Sequence, residues 1–231
     1  LSKKGRSMQI EPPLPGRRSN LSLLKNIPLF AGLTEAQLEQ LARMAVIRKV
    51  QRNTTIVHVG DSTDSLFVII SGGAKVLNRD VEGREVILTL LEAGECFGEM
   101  GLIDGSPRSA DVVTSESCEL LVISKTDFTK ALADNIELCL NIMKSLVLRL
   151  REANRKIESL ALMDVYGRVA KLLLDFSEEE NGVRVIRRKV TKQDMAKMVG
   201  ASREMVSRVM KDLENSGYIR VEAGCIVLTE D

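Results

Sequence analysis

The 231-residue chain has one histidine, His58, no tryptophan, and aromatic residues at only 3%. Its four cysteines stand apart at positions 96, 118, 139 and 225, with no CxxC pair, no HExxH and no Cys/His cluster. Tetrahedral zinc sites, iron–sulfur centres held by closely spaced thiolates and histidine-based catalysis therefore lack the residues they need. Carboxylates are plentiful, but no motif places a catalytic pair of them, so an enzyme is not expected. No apolar run approaches the roughly 18 residues of a membrane span. The first 20 residues lack the apolar stretch of a secretory signal. Isolated cysteines in such a chain point to a reducing, cytoplasmic setting. An excess of one charge is also missing: 33 Lys and Arg against 32 Asp and Glu give +1, so bulk charge names no polyanionic partner.

What is present falls into segments. Residues 1–20 carry Lys3, Lys4, Arg6, Arg17 and Arg18 against Glu11 alone. Such a segment buries too little to offset its ordering entropy, and a disordered tail is expected, with a nucleic-acid-seeking arm as the alternative. Residues 21–46 read as short helices, one opened by Thr34 as N-cap with Gln37 three residues on. From about 47 to 124 the texture is strand-like: Thr55–Val59, Leu66–Ser71, Ala74–Asn78, Glu85–Leu91, Asp111–Val113 and Glu119–Ser124, punctuated by turn residues. That spacing suggests an all-β barrel, roll or sandwich.

Residues 126–176 read as helical. Apolar residues recur at Ile136, Leu140, Met143, Val147, Leu150, Ile157 and Ala161, with Asn154 in the one slot that the alternating steps of four and three leave polar. This 3.5-residue stripe runs for about 39 Å and wants another long helix against it. Glu178-Glu179-Glu180-Asn181-Gly182 reads as a solvated break. Beyond it, Val183 to Arg220 holds ten Lys/Arg and four Asp/Glu, so overall neutrality hides a basic C-terminal module.

Within that module, Thr191 caps a helix that Gly200 stops, and Ser202 caps a second helix whose buried side is expected at Met205, Val206, Val209, Met210 and Leu213. Two helices joined by a short Gly-containing turn make a helix-turn-helix. Arg203, Glu204, Ser207 and Arg208 share the N-terminal face that such a motif presents to the major groove. Arg suits guanine O6/N7, and Glu accepts from cytosine N4. Thr191, Lys192 and Ser202 sit at helix starts, where phosphates are favoured. Tyr218–Val221 and Cys225–Leu228 flank Glu222-Ala223-Gly224 as a small hairpin wing.

A second motif spans residues 97–110, from Phe97-Gly98-Glu99-Met100 to Pro107-Arg108-Ser109-Ala110. Small residues let backbone N–H groups approach an anion, Arg108 supplies a fork that suits phosphate, and Ser109 adds a hydroxyl. Glu99 can accept from sugar hydroxyls. Together they describe a ribose phosphate site; a structural Arg–Glu ion pair is the alternative.

Gly98–Ala110 resembles the phosphate-binding cassette of cyclic-nucleotide-binding domains. Together with Thr191–Leu213, it makes the chain similar to the CRP/FNR family of bacterial transcription regulators over about residues 22–230. The resemblance implies an α+β fold: an antiparallel, jelly-roll-like β-roll over residues 21–134, a dimerisation helix over 135–163 and a winged helix-turn-helix over 164–231. It also implies a homodimer through the 136–161 helix, palindromic double-stranded DNA with TGTGA-like half-sites, and RNA polymerase as a partner. The implied effector is a cyclic nucleotide: cyclic AMP first, with cyclic GMP, cyclic di-GMP or constitutive action as alternatives; a cyclic-nucleotide regulatory subunit without DNA binding is the alternative of another class. Its implied contacts are Gly98, Glu99, Met100, Arg108, Ser109, Arg149 and Asn154, with Arg149 pairing to Glu99. Arg203, Glu204 and Arg208 match the base readers. Ala153-Asn154 departs from the Thr-Ser pair that the family sets against adenine. Effector binding is expected to reorient the DNA-reading helices.

Overall fold

The computed structural model describes residues 17–188, 190–222 and 225–229. The chain forms two compact units: one runs up to Arg149 without Glu85–Ile87, and the other takes those three residues together with the chain from Leu150 onward.

The first unit opens with α1 (Arg17–Lys25), a 3₁₀ turn at Pro28–Phe30 and α2 (Glu35–Met44). Helix α1 starts inside the segment expected as a tail, and Leu24, fully buried in the helical core, anchors it. The rest of that segment, residues 1–16, lies outside the described residues. A capping box starts α2: Thr34 accepts from the Gln37 amide, and the Gln37 side chain accepts from the Thr34 amide at 2.8 Å.

Eight strands follow: β1 (Val46–Val50), β2 (Thr55–Val57), β3 (Ser65–Ser71), β4 (Ala74–Arg79), β5 (Glu85–Leu91), β6 (Cys96–Phe97), β7 (Asp111–Thr114) and β8 (Cys118–Ser124). They form two four-stranded sheets, β1-β8-β3-β6 and β2-β7-β4-β5. The central pairs are antiparallel, with Phe67 opposite Val122 and Leu77 opposite Asp111. Both faces of β3 and β8 are covered. Leu66, Val68, Leu121 and Ile123 pack against the helices, while Phe67, Ile69 and Leu120 fill the space between the sheets. This double burial is why those segments read as continuous apolar runs rather than alternating ones. Strand β1 escaped the sequence reading because Arg48 and Lys49, adjacent and so on opposite faces, interrupt any apolar pattern. Strand β6 is only two residues long.

Helix α4 (Lys125–Asp134) breaks at the extended residue Asn135, and α5 (Ile136–Leu162) then runs for 27 residues. Leu138 and Ile142 bury one side of its first half in the helical core. The stripe read from the sequence points elsewhere: Ile136, Leu140, Met143, Val147, Leu150 and Ile157 are between 38% and 69% exposed within one chain.

The second unit continues with α6 (Val165–Phe176), β9 (Glu178–Glu180), β10 (Val183–Ile186), α7 (Lys192–Val199), α8 (Arg203–Asn215), β11 (Ile219–Glu222) and β12 (Cys225–Leu228). Val169, Leu173, Met195, Val199, Val206 and Leu213 meet in its core, closed by Ile186, Ile219 and Leu228 from a sheet ordered β11-β12-β10-β9. The expected break at 178–182 is instead a hairpin. Asn181 and Gly182 both take positive φ, the dihedrals that a two-residue turn needs, and Val183 pairs with Glu180. Ala223 and Gly224, the expected wing tip, lie outside the described residues, but β11 and β12 on either side pair antiparallel as expected.

Candidate functional site

Strand β6 delivers the chain to Gly98, which bends it at φ +84 into the five-residue helix α3 (Met100–Asp104). Gly105, at φ +77, closes that helix. The return through residues 106–110 is held on both sides. Thr63 Oγ1 donates to the Ser106 carbonyl at 3.0 Å, the Arg108 amide donates to the Asp61 carbonyl at 2.9 Å, and the Gly60 amide donates to the Arg108 carbonyl at 2.8 Å.

Inside this frame Arg108 is buried and fixed. Nη1 donates to the Gly98 carbonyl at 2.8 Å, and Nη2 donates to the Ser65 carbonyl at 2.7 Å with Asp64 Oδ1 at 3.6 Å. Its guanidinium lies over the Phe67 ring, 5.6 Å from the centroid, and Phe67 stacks on Phe97 at 5.0 Å. Burial pulls Arg108 below its ordinary value, against the opposing pull of Asp64, Glu99 and Asp61. It stays a cation, since guanidinium is not deprotonated in proteins.

Glu99 is 2% exposed. Oε1 accepts from Arg149 Nη1 at 2.6 Å, and Arg149 also donates to the Cys96 carbonyl. Among the described residues the other carboxylate oxygen, Oε2, is buried with no hydrogen-bond partner. Charged oxygens are seldom left so, and this one asks for a donor. The fold thus brings Gly98, Glu99, Arg108 and Arg149 together. Met100 and Ser109 are exposed on the same turn. Asn154 is exposed on the later part of α5, in the second unit. The sequence reading assigned no role to Asp61, Asp64 and Ser65, which wall in Arg108. They precede or open an apolar strand and carry no motif of their own.

The second candidate surface is built by caps. Thr191 accepts from the Asp194 amide at 3.0 Å, Gly200 takes φ +64 after α7, and Ser202 accepts from the Met205 amide at 3.2 Å. Arg168 Nε donates to the Val199 carbonyl at 2.8 Å and ties α6 to the turn. Val206, Val209, Met210 and Leu213 are buried at i, i+3, i+4 and i+7. Met205, expected on that side, is 44% exposed, because it falls one residue outside this spacing. Arg203, Glu204 and Arg208 are exposed, Ser207 is half-buried, and Thr191, Lys192 and Ser202 are exposed at the helix starts. Glu204's own backbone amide and the Ser202 hydroxyl hold its carboxyl below the usual range, so it remains an acceptor.

The cyclic nucleotide-binding domain family matches residues 47–135, and the Crp-like helix-turn-helix domain family matches residues 167–230. The chain is 36% identical over 189 residues to the cAMP-activated global transcriptional regulator CRP of Haemophilus influenzae, covering 79% of this chain and 83% of that protein. It is 36% identical over 201 residues to the cAMP-activated global transcriptional regulator Vfr of Pseudomonas aeruginosa, covering 83% and 92%. Among solved structures, the c-di-GMP responsive global regulator CLP of Xanthomonas campestris aligns with a TM-score of 0.73 at 28% identity, covering 86% of this chain and all of that one. Among the described residues no helix is long and apolar enough to cross a membrane.

Proposed function

Because the chain belongs to the CRP family of cyclic-nucleotide-binding transcription regulators, we propose that it is a homodimeric, effector-gated DNA-binding protein whose effector is cyclic AMP. The observation that carries this is the buried, unpartnered Glu99 Oε2, one residue from the Gly98 carbonyl that clamps Arg108. A 3′,5′-cyclic nucleotide, when bound, supplies a phosphate for the free N–H groups of the Arg108 fork and a ribose hydroxyl for Glu99. Two protein carbonyls already hold that fork, so little side-chain entropy is lost on binding. Gly98 leaves room for the close approach, and Ser109 adds a hydroxyl at the rim.

Arg149 gives the site a route outward. Its guanidinium grips Glu99, and its backbone belongs to α5, which continues into the second unit. An effector that changes the Glu99 contacts therefore acts on a helix shared by both units. Only a difference in contacts between two states can shift their balance. The exposed stripe of α5 is the proposed dimer seam, with Asn154 as a polar position in it and a proposed base contact. The α8 face is the proposed DNA reader, with Arg203, Glu204 and Arg208 on base edges, Ser207 on the same groove-facing side, and Thr191, Lys192 and Ser202 on phosphates. TGTGA-like half-sites, RNA polymerase as a partner and a cytoplasmic location belong to the same proposal and rest on family resemblance alone.

Titration of the full-length dimer with cyclic AMP, cyclic GMP and cyclic di-GMP by calorimetry tests the effector, with Arg108→Ala in parallel. Cyclic AMP is expected to bind most tightly, and Arg108→Ala to weaken it at least tenfold, in line with the loss of a charge-assisted bond. Equal affinity of the wild type and Arg108→Ala for every nucleotide would remove the cassette from the account. Preference for cyclic di-GMP would move the effector to that of CLP.

A further inference from the structure

Three buried side-chain oxygens have no hydrogen-bond partner among the described residues: Glu99 Oε2, Asn78 Oδ1 and Asn135 Oδ1. Asn135 sits at the break between α4 and α5, where its amide nitrogen donates to the Ala131 carbonyl. Asn78 is different. It lies on β4, sharing the face of Ala74 and Val76 that turns toward the space between the sheets. A carboxamide at that point of an apolar strand face is out of pattern.

Its orientation is fixed by chemistry. Asn78 Nδ2 lies 3.4 Å from the carbonyl of Ser109, the residue after Arg108. A carbonyl only accepts, so the nitrogen must face it, and Oδ1 points the other way. What Oδ1 lacks is therefore a donor. A lone buried amide oxygen lowers stability unless a donor reaches it.

We propose that Asn78 Oδ1 is a further anchor for the bound nucleotide, accepting a hydrogen bond from the exocyclic amine of its base. This rests on the cyclic-nucleotide reading above. The donors of a 3′,5′-cyclic nucleotide are few. Its phosphate is ionised and offers none, and its ribose keeps only the 2′-hydroxyl. Glu99 Oε2 is the stronger acceptor and claims that hydroxyl. In cyclic AMP the base amine is the donor that remains for Asn78. The residue would then discriminate among effectors by the donor pattern of the base, independently of the Arg108 fork. A buried acceptor left unpaired by the wrong ligand is an effective means of rejection.

Calorimetric titration of the wild type, Asn78→Leu and Asn78→Ala tests this with three probes: cyclic AMP, its amine-free analogue purine riboside 3′,5′-cyclic monophosphate, and 2′-deoxy cyclic AMP. Cyclic GMP and cyclic IMP form the matching pair for guanine. Thermal melts verify that each variant is folded. In the wild type, removing the amine is expected to cost about tenfold in affinity. Both variants are expected to lose about the same for the parent nucleotide and nothing further for the amine-free analogue. Coupling to the 2′-deoxy analogue instead would overturn the assignment to the base. Unchanged affinity of both variants, or losses that simply add, would overturn Asn78 as an anchor. A wild-type dimer that binds none of the five nucleotides would instead strike down the cyclic-nucleotide reading itself.

Discussion

A methyl group on Gly98 would clash with Arg108 Nη1, on a backbone at φ +84 that L side chains rarely adopt. Both effects push the same way, since the clash displaces the guanidinium and the dihedral strains the turn. Gly98→Ala is expected to lower stability by about 1–3 kcal/mol in a denaturant melt. It should also abolish measurable nucleotide binding in the same calorimetric assay. Charge alone does not make this site; the absence of a Cβ does as much. The cysteines divide just as sharply. Burial, with Glu99 nearby, pushes the Cys96 thiol up to about 12, and burial raises Cys118 as well. The thiolate is the reactive form. At pH 8, Cys139 and Cys225, which are half-buried, are expected to label with a disulfide reagent well before Cys96 and Cys118. Folding favours the protonated Cys96 thiol, so its contribution is complete below about 9 and is lost as pH climbs toward about 12. Rapid labelling of all four thiols in the native protein would contradict this burial.

At the scale of elements, caps and stripes do most of the specifying. Thr34, Ser124, Asp164, Thr191 and Ser202 each accept a backbone amide at a helix start. Most of these starts were readable because a short polar side chain before an apolar run has one economical use. The α5 stripe was equally readable, but its burial was not. The pattern read from the sequence marks one side of α5. Only the packing tells that Leu138 and Ile142 are already used within the chain, while Met143, Val147 and Leu150 remain open. Val147→Glu places a charge in that open stripe without touching the core. It is expected to shift the dimer toward monomer in sedimentation at micromolar concentration, with the far-ultraviolet spectrum unchanged, since a charge in a helix seam is costly to desolvate. An unaltered dimer would mean that copies meet elsewhere. The β9–β10 hairpin shows the opposite kind of miss. Its signal, Asn181-Gly182, is present, but three consecutive glutamates read as a solvated segment, and an edge strand needs only its backbone to pair.

For the whole molecule, a net charge of +1 conceals a division of labour, with the basic excess concentrated between Val183 and Arg220. The logarithm of the duplex affinity should fall linearly with the logarithm of salt concentration. Arg203→Ala should cost about 1–3 kcal/mol at one base step, whereas Lys192→Ala should weaken binding uniformly across sequences; fluorescence anisotropy over a salt series separates the two. The sequence by itself determined the division into a strand-rich half and a basic helical half, the helix starts and turns, and the residue types a sugar phosphate needs, because these depend on local chemistry and on spacing along the chain. Tertiary structure alone decided that the Gly98 and Ser65 carbonyls hold Arg108, that one oxygen of Glu99 is taken by Arg149 and the other left open, and that Asn78 turns an unpaired amide oxygen inward. Those facts join residues from separate strands and a helix, tens of positions apart, and no periodicity records which polar atoms the fold leaves without a partner.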